Sequence, residues 1–152
     1  MAFFIVETII GEIGLEEKDE KLIRVYLPNE KINKEIRATP LLKKAAKELQ
    51  QYLCGELERF TLPLELTGSL FMQKVWRELE NIAYGTTVTY GEIAQRIAQP
   101  RAARAVGMAC RRNPLPFFIP CHRVVGSKGK LVGYRGGLEL KKWLLELEVC
   151  QI

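Results

Sequence analysis

Three prolines fall within eight residues in "NPLPFFIP", residues 113 to 120. A proline ring fixes φ and removes a backbone N–H, so no helix runs through this segment. It reads as a stiff extended arm joining what precedes it to the stretch "CHRVV". Upstream lies "RAARAVGMACRR", whose length and alanine content predict a helix. Downstream lie Cys121 and His122, the one histidine of the chain. The arm therefore carries the chain from a basic helix to a cysteine.

The chain has 152 residues, 47% of them apolar, enough for one ordinary domain or two small ones. "FFIVETII" and "KLIRVYLP" read as strands of a small antiparallel sheet, separated by a charged stretch in which Gly11 and Gly14 mark turns. After Thr39, a helix N-cap, "LLKKAAKELQQYLCGE" repeats Leu42, Ala45, Ala46, Leu49 and Leu53 at helical spacing and stops near Gly55. "RFTLPLELTGS", interrupted by Pro63 and Gly68, reads as a connection and sets two domains, residues 1–62 and 63–152. From Ser69 the period is helical, with Phe71, Val75, Leu79 and Ile82 on one face. A turn, a short β-prone stretch and a helix from about Tyr90 to Ala98 follow. With "RAARAVGMACRR" beyond Pro100, this makes a helix-turn-helix candidate. The expected fold class is α/β of the α+β kind: an N-terminal antiparallel sheet-plus-helix domain, then a mostly helical, winged helix-turn-helix-like domain.

The net charge of +5 is unevenly spread. Residues 1 to 60 carry 10 Lys and Arg against 11 Asp and Glu, and residues 61 to 152 carry 13 against 7. Between Glu92 and Glu139 stand nine basic residues and no acid. Such a segment attracts a polyanion. A charge run alone is more often a solvated face. Here four arginines fall in twelve residues, with Arg101, Arg104, Met108 and Arg111 along one flank. Ala102, Ala105, Ala109 and Gly107 keep the rest of the surface thin, so close approach to a nucleic acid groove is the better reading. No run of about 18 uncharged apolar residues is present to span a bilayer, and the first residues lack a secretory leader. The chain reads as cytoplasmic, with DNA within reach in a nucleoid if the source is prokaryotic.

Cys54, Cys110, Cys121 and Cys150 form no CxxC pair, and one histidine cannot complete a zinc set, so no metal is expected. Free cysteines are usually buried filling, and Cys54, Cys110 and Cys150 take that reading. Cys121 differs because an imidazole, a guanidinium and an acid-free surrounding favour a thiolate, predicting a lowered pKa. Activation must use His122, directly or through a water. On an extended strand neighbouring side chains face opposite ways, so direct contact requires a turn.

A basic helix for DNA with a reactive thiol beyond it is the combination that "IPCHRVV" carries. Preceded by "RAVGMACRRNPLP" and followed by "GYRGGLELKKWLLELE", it resembles the O6-alkylguanine-DNA alkyltransferases, or methylated-DNA–protein-cysteine methyltransferases. The resemblance is strong from about Phe71 to Glu148 and weak over residues 1 to 60. It implies irreversible transfer of an alkyl group from O6 of guanine onto Cys121 of a monomer acting on double-stranded DNA, with no cofactor, and leaves activity on O4-alkylthymine open.

The resemblance further implies a proton relay from Cys121 through water to His122, which Glu148 holds; on residue type alone Glu148 would be a helix-surface charge. Arg104 would be the finger that replaces a flipped nucleotide, Tyr90 would promote rotation and donate its hydroxyl to the base, and Asn113 would tie the basic helix to the active segment. Cys110, Pro116, Val124, Tyr134 and Arg135 would form the pocket. Ala102, Ala103, Ala105 and Gly107, with Arg111 nearby, would enter the minor groove. Arg135 stands where some relatives have serine, which counts against large alkyl groups, and the zinc ligands of some relatives are absent. A DNA-binding regulator, a lesion sensor and a cysteine hydrolase each leave some of these features unexplained.

Overall fold

The computed structural model describes residues 1–149, so Cys150 and the packing role expected of it lie outside the described residues. The chain forms two compact units, Met1–Leu66 and Thr67–Ile152.

In the first unit, β1 (Ala2–Thr8), β2 (Gly11–Lys18) and β3 (Lys21–Tyr26) form an antiparallel sheet in that order. The expectation of two strands around a charged connection is corrected, because "GEIGLEEK" is itself the central strand. Its charge is misleading: Ile13 and Leu15 are fully buried, and the one buried acid, Glu16, accepts from Tyr26 Oη at 3.0 Å and from Lys34 Nζ at 2.5 Å. Gly14 is no turn residue. A Cβ there would stand 2.7 Å from the Phe3 ring, so glycine lets Phe3 lie across the sheet.

Helix α1 (Pro40–Leu53) buries Leu42, Ala45, Ala46, Leu49 and Leu53, the face predicted from spacing. Thr39 Oγ1 accepts from Leu42 N at 3.1 Å, satisfying one of the first-turn donors, and Pro40 supplies the φ that a first helical residue needs. Within the helix, the buried carboxylate of Glu48 accepts from the chain beyond it, from Thr61 N at 2.9 Å and Thr61 Oγ1 at 2.5 Å. The chain then runs along β3, through Leu22 N to Pro63 O and Glu65 N to Leu22 O, both 3.0 Å.

In the second unit, α2 (Leu70–Leu79) is capped by Ser69 Oγ, which accepts from Met72 N at 3.1 Å, and buries Val75, Trp76 and Leu79. The indole N–H of Trp76, 1% exposed, donates to Ala109 O at 2.8 Å. Strand β4 (Val88–Thr89) leads into α3 (Tyr90–Arg96), whose first turn is capped by Thr89. The helix ends two residues before the expected Ala98, because Ala98 turns left-handed at φ +60° and sends the chain back. Helix α4 (Ala103–Arg111) buries Val106, Ala109 and Cys110. Arg101 and Ala102 therefore precede the helix, and Ala109 belongs to the core rather than to the thin outer face. Strand β5 (Val124–Val125) pairs in parallel with β4, Val88 opposite Val124, and α5 (Leu138–Val149) follows. Among the described residues no helix is long and apolar enough to cross a membrane.

Candidate active site

The proline-rich segment is not the extended arm expected. It folds back on itself, with Ile119 N bonded to Leu115 O at 2.9 Å and Phe117 at φ +74°. Prolines exclude helix but do not impose extension, and Asn113 closes the loop. Its buried amide donates to Ile119 O and its carbonyl accepts from Leu115 N, both at 2.9 Å. Leu115, Phe117, Phe118 and Ile119 are buried, so the loop is a packed wall delivering Cys121 at a defined place.

Beyond Pro120 the chain makes one tight 3-10 turn, Cys121–Arg123, then enters β5. This turn places Cys121 and His122 in neither strand nor long helix. Its short parallel seam to β4 fixes the reactive turn beside the start of α3, where Tyr90 sits.

His122 is 0% exposed and Glu148, the penultimate residue of α5, is 3% exposed. The surface-charge reading of Glu148 is thus replaced by a buried hub. Its carboxylate meets His122 Nε2 at 2.7 Å and accepts from Arg123 Nε at 2.8 Å, Arg123 Nη2 at 2.9 Å and Gly85 N at 3.1 Å. Arg123 in turn donates to Ile82 O at 2.8 Å and lies over the Tyr84 ring at 5.5 Å. Burial lowers the His122 pKa against the opposing pull of Glu148, whose charge Arg123 already offsets. A neutral His122 donates Nε2–H to the acceptor-only carboxylate, which leaves the basic lone pair on Nδ1.

Cys121 is buried, and burial pushes its thiol pKa up, correcting the lowered value expected from neighbouring residue types. A hydrogen bond from Asn113 and the charges of Lys141 and Arg135 pull the other way and lose. The thiol therefore needs a base to give up its proton. Cys110 is likewise pushed up by burial, whereas Cys54 is exposed and is not the filling expected of it.

Lys141 escaped the sequence reading. It is 1% exposed, and its ammonium reaches Tyr90 Oη at 3.3 Å, Gly133 O at 3.3 Å and Val132 O at 3.4 Å. Tyr90 Oη itself donates to Val132 O at 2.8 Å, and burial raises its pKa to about 12. Lys141 and Tyr90 together hold the loop after β5 against α3. The residues Lys141, Leu144 and Glu148 share one buried face of α5, so drawing that face outward from Glu148 would have found the lysine.

Tyr90, Cys110, Arg111, Cys121, Gly133 and Tyr134 line a cavity of only about 10 Å³ against the thiol, close to the room one water needs. Pro116 and Val124 are buried but do not line it, and the Arg135 side chain donates to Asn113 O at 2.7 Å instead of filling it. Outside lies a groove of about 600 Å³ whose walls include Tyr90, Ala103, Arg104, Gly107, Met108 and Arg111. Arg104 and Ala105 are exposed and Ala102, Ala103 and Gly107 partly so, giving α4 a basic outer face with short side chains.

A sheet-plus-helix unit, a helix pair with a basic groove, and a buried cysteine beside a histidine–glutamate pair define a DNA-directed cysteine protein. Residues 70–150 match the 6-O-methylguanine DNA methyltransferase DNA binding domain, and residues 3–66 match its ribonuclease-like domain. The chain belongs to the 6-O-methylguanine DNA methyltransferase family. It is 42% identical over 151 residues to the constitutive methylated-DNA–protein-cysteine methyltransferase of Bacillus subtilis, covering 93% of this chain and 92% of that protein. The Methanosarcina acetivorans methylated-DNA–protein-cysteine methyltransferase is 42% identical over 153 residues, covering 97% and 98%. Mycobacterium tuberculosis OGT in complex with DNA superposes with a TM-score of 0.92 at 39% identity, covering 99% of this chain and 94% of that one.

Proposed function

We propose that this protein repairs DNA by moving an alkyl group from O6 of guanine onto Cys121, once per molecule. The observation that carries this reading is a buried thiol with raised pKa set beside a buried His122–Glu148 pair, behind a groove walled by the basic helix α4. A soft sulfur suits attack on an alkyl carbon. The S–C bond forms as the C–O6 bond breaks, and the electron pair leaves on the guanine, which a proton or hydrogen bond stabilises. The thiol proton passes to Nδ1 of His122, directly or through a water, and Glu148 stabilises the resulting imidazolium. O4-alkylthymine presents a similar alkyl carbon to the same thiol.

A base within a duplex must leave the stack to reach a buried thiol, at a cost of a few kcal/mol. In this reading Arg104 takes the vacated place and Ala102, Ala103, Ala105 and Gly107 lie in the minor groove with Arg111 alongside. Tyr90 exchanges its bond to Val132 O for one to the base. Asn113 positions the thiol, while Cys110, Tyr134 and the loop at Arg135 bound the pocket in front of Pro116 and Val124. Lys141 is a positioning residue that holds Tyr90 and the loop. All these groups belong to one unit, so a monomer on double-stranded DNA suffices. Residues 1–62 act as a scaffold for the domain of residues 63–152, and a reducing cytoplasm keeps the thiol available.

The test is intact-protein mass spectrometry with peptide mapping after incubation with duplex DNA containing O6-methylguanine. One added methyl on Cys121, saturating at one per chain, supports the reading. Tight binding without added mass overturns it in favour of a lesion sensor.

A further inference from the structure

The thiol and the groove are separated by very little. Among the described residues the outer groove of about 600 Å³ and the inner cavity of about 10 Å³ share two wall residues, Tyr90 and Arg111. An alkylated guanine has no room in the inner cavity as it stands, so part of the shared wall must move before any base reaches Cys121.

The two shared residues are held very differently. Tyr90 is tied through its hydroxyl to Val132 O and to Lys141. The side chain of Arg111, the last residue of α4, makes no hydrogen bond or ion pair among the described residues, and the residue is exposed. Its guanidinium occupies the space beside Gly133 that a side chain there would need. A Cβ at Gly133 would stand 2.8 Å from both Nε and Nη2, and φ +59° there already favours glycine. A long side chain laid flat on a glycine and held by packing alone can swing away without breaking a polar contact.

We infer that Arg111 is the gate between groove and thiol and thereby sets the size of alkyl group that reaches Cys121. Gly133 is its seat, and the absence of a side chain there is what lets the gate close. This inference rests on the alkyl-transfer reading for its biological meaning, but its physical content is access to a thiol. It can therefore be tested without the reaction.

Cys121 modification would be followed by peptide mapping with N-methylmaleimide and N-phenylmaleimide, two neutral reagents with the same reactive ring and different bulk. Arg111→Ala should raise the phenyl-to-methyl rate ratio about tenfold, the change expected from removing one side chain's closing contacts. Arg111→Lys keeps the charge but not the flat group on Gly133 and should raise it as well. Gly133→Ala should raise the ratio in the parent chain and add nothing in the Arg111→Ala background, because its backbone strain is common to both and only the seat differs. An unchanged ratio in Arg111→Ala, or an equal rise for both reagents with a lowered melting temperature, overturns the gate.

In parallel, the ratio of Cys121 alkylation by free O6-benzylguanine to that by free O6-methylguanine should rise in Arg111→Ala. If the parent chain accepts no alkyl group from any substrate, duplex DNA included, the functional reading fails while the maleimide ratio still decides the gate.

Discussion

Glu148 and His122 meet at 2.7 Å with both side chains out of solvent, and the carboxylate that orients the imidazole is the one that compensates Arg123. Orientation of the base and neutralisation of a buried guanidinium are therefore one function. In Glu148→Gln the new amide cannot serve both. It leaves Arg123 without a counter-charge, a loss on the order of 3–5 kcal/mol. Its N–H can donate to Nε2, moving the imidazole proton to Nδ1. Transfer to Cys121 should then slow and its pH–rate profile shift upward, because the thiol loses its base. An unchanged profile would remove Glu148 from the relay, whatever the loss in melting temperature.

Cys121→Ala should abolish transfer while leaving affinity for lesion-containing duplex within a few-fold of the parent. The thiol points into the inner cavity and the basic groove lies outside it. Gel shift beside mass spectrometry separates the two.

Arg104 is exposed on the outer face of α4, where it walls the groove but does not line the thiol's cavity. Arg104→Ala should slow repair of duplex DNA by about tenfold or more, while reaction with free O6-benzylguanine changes little, since only the duplex needs its vacancy filled. Equal losses on both substrates would refute the finger role.

The lowered pKa of His122 makes stability depend on pH. Below the unfolded value of about 6.5 the unfolded chain binds a proton that the folded chain resists, so stability is complete above that pH and lost as pH falls through it. Melting temperature should hold from pH 8 to about 7 and drop toward pH 5. His122→Gln, less stable throughout, should show a flatter slope in that window.

Lys141→Met keeps the bulk of the buried stem but removes the ammonium that binds Tyr90 and the Val132 and Gly133 carbonyls. It should slow transfer and move the thiol pKa upward, because one of the charges favouring the thiolate is gone. Thiol titration by ultraviolet absorbance reads the shift directly, and a purely structural lysine would leave it unmoved.

Much of this site could be read from the chain. Thr39 and Ser69 announced their helices through cap chemistry, and "PCHRV" named the thiol and its histidine. What escaped did so for tertiary reasons. The strand "GEIGLEEK" looked like a linker because Glu16 is charged, although Tyr26 and Lys34 satisfy it within the sheet. Lys141 and Lys142 are adjacent and alike, yet one is buried against a phenol and two carbonyls while the other's side chain is 68% exposed. The proline-rich loop turned back because Asn113 offers hydrogen bonds in both directions, a choice no proline count reveals. The thiol pKa moved opposite to expectation because burial outweighs nearby cations, and burial depends on the whole unit.

The bond from the Trp76 indole to Ala109 O places a fluorophore directly on the backbone of α4. The chain has two tryptophans, Trp76 and Trp143, so replacing Trp143 with phenylalanine would leave a single emitter sealed in an apolar setting. Any displacement of α4 on meeting a ligand would stretch that bond or admit water beside the ring, and the emission colour would change. The protein thus contains its own optical gauge for the helix that faces the groove, with no dye to be attached.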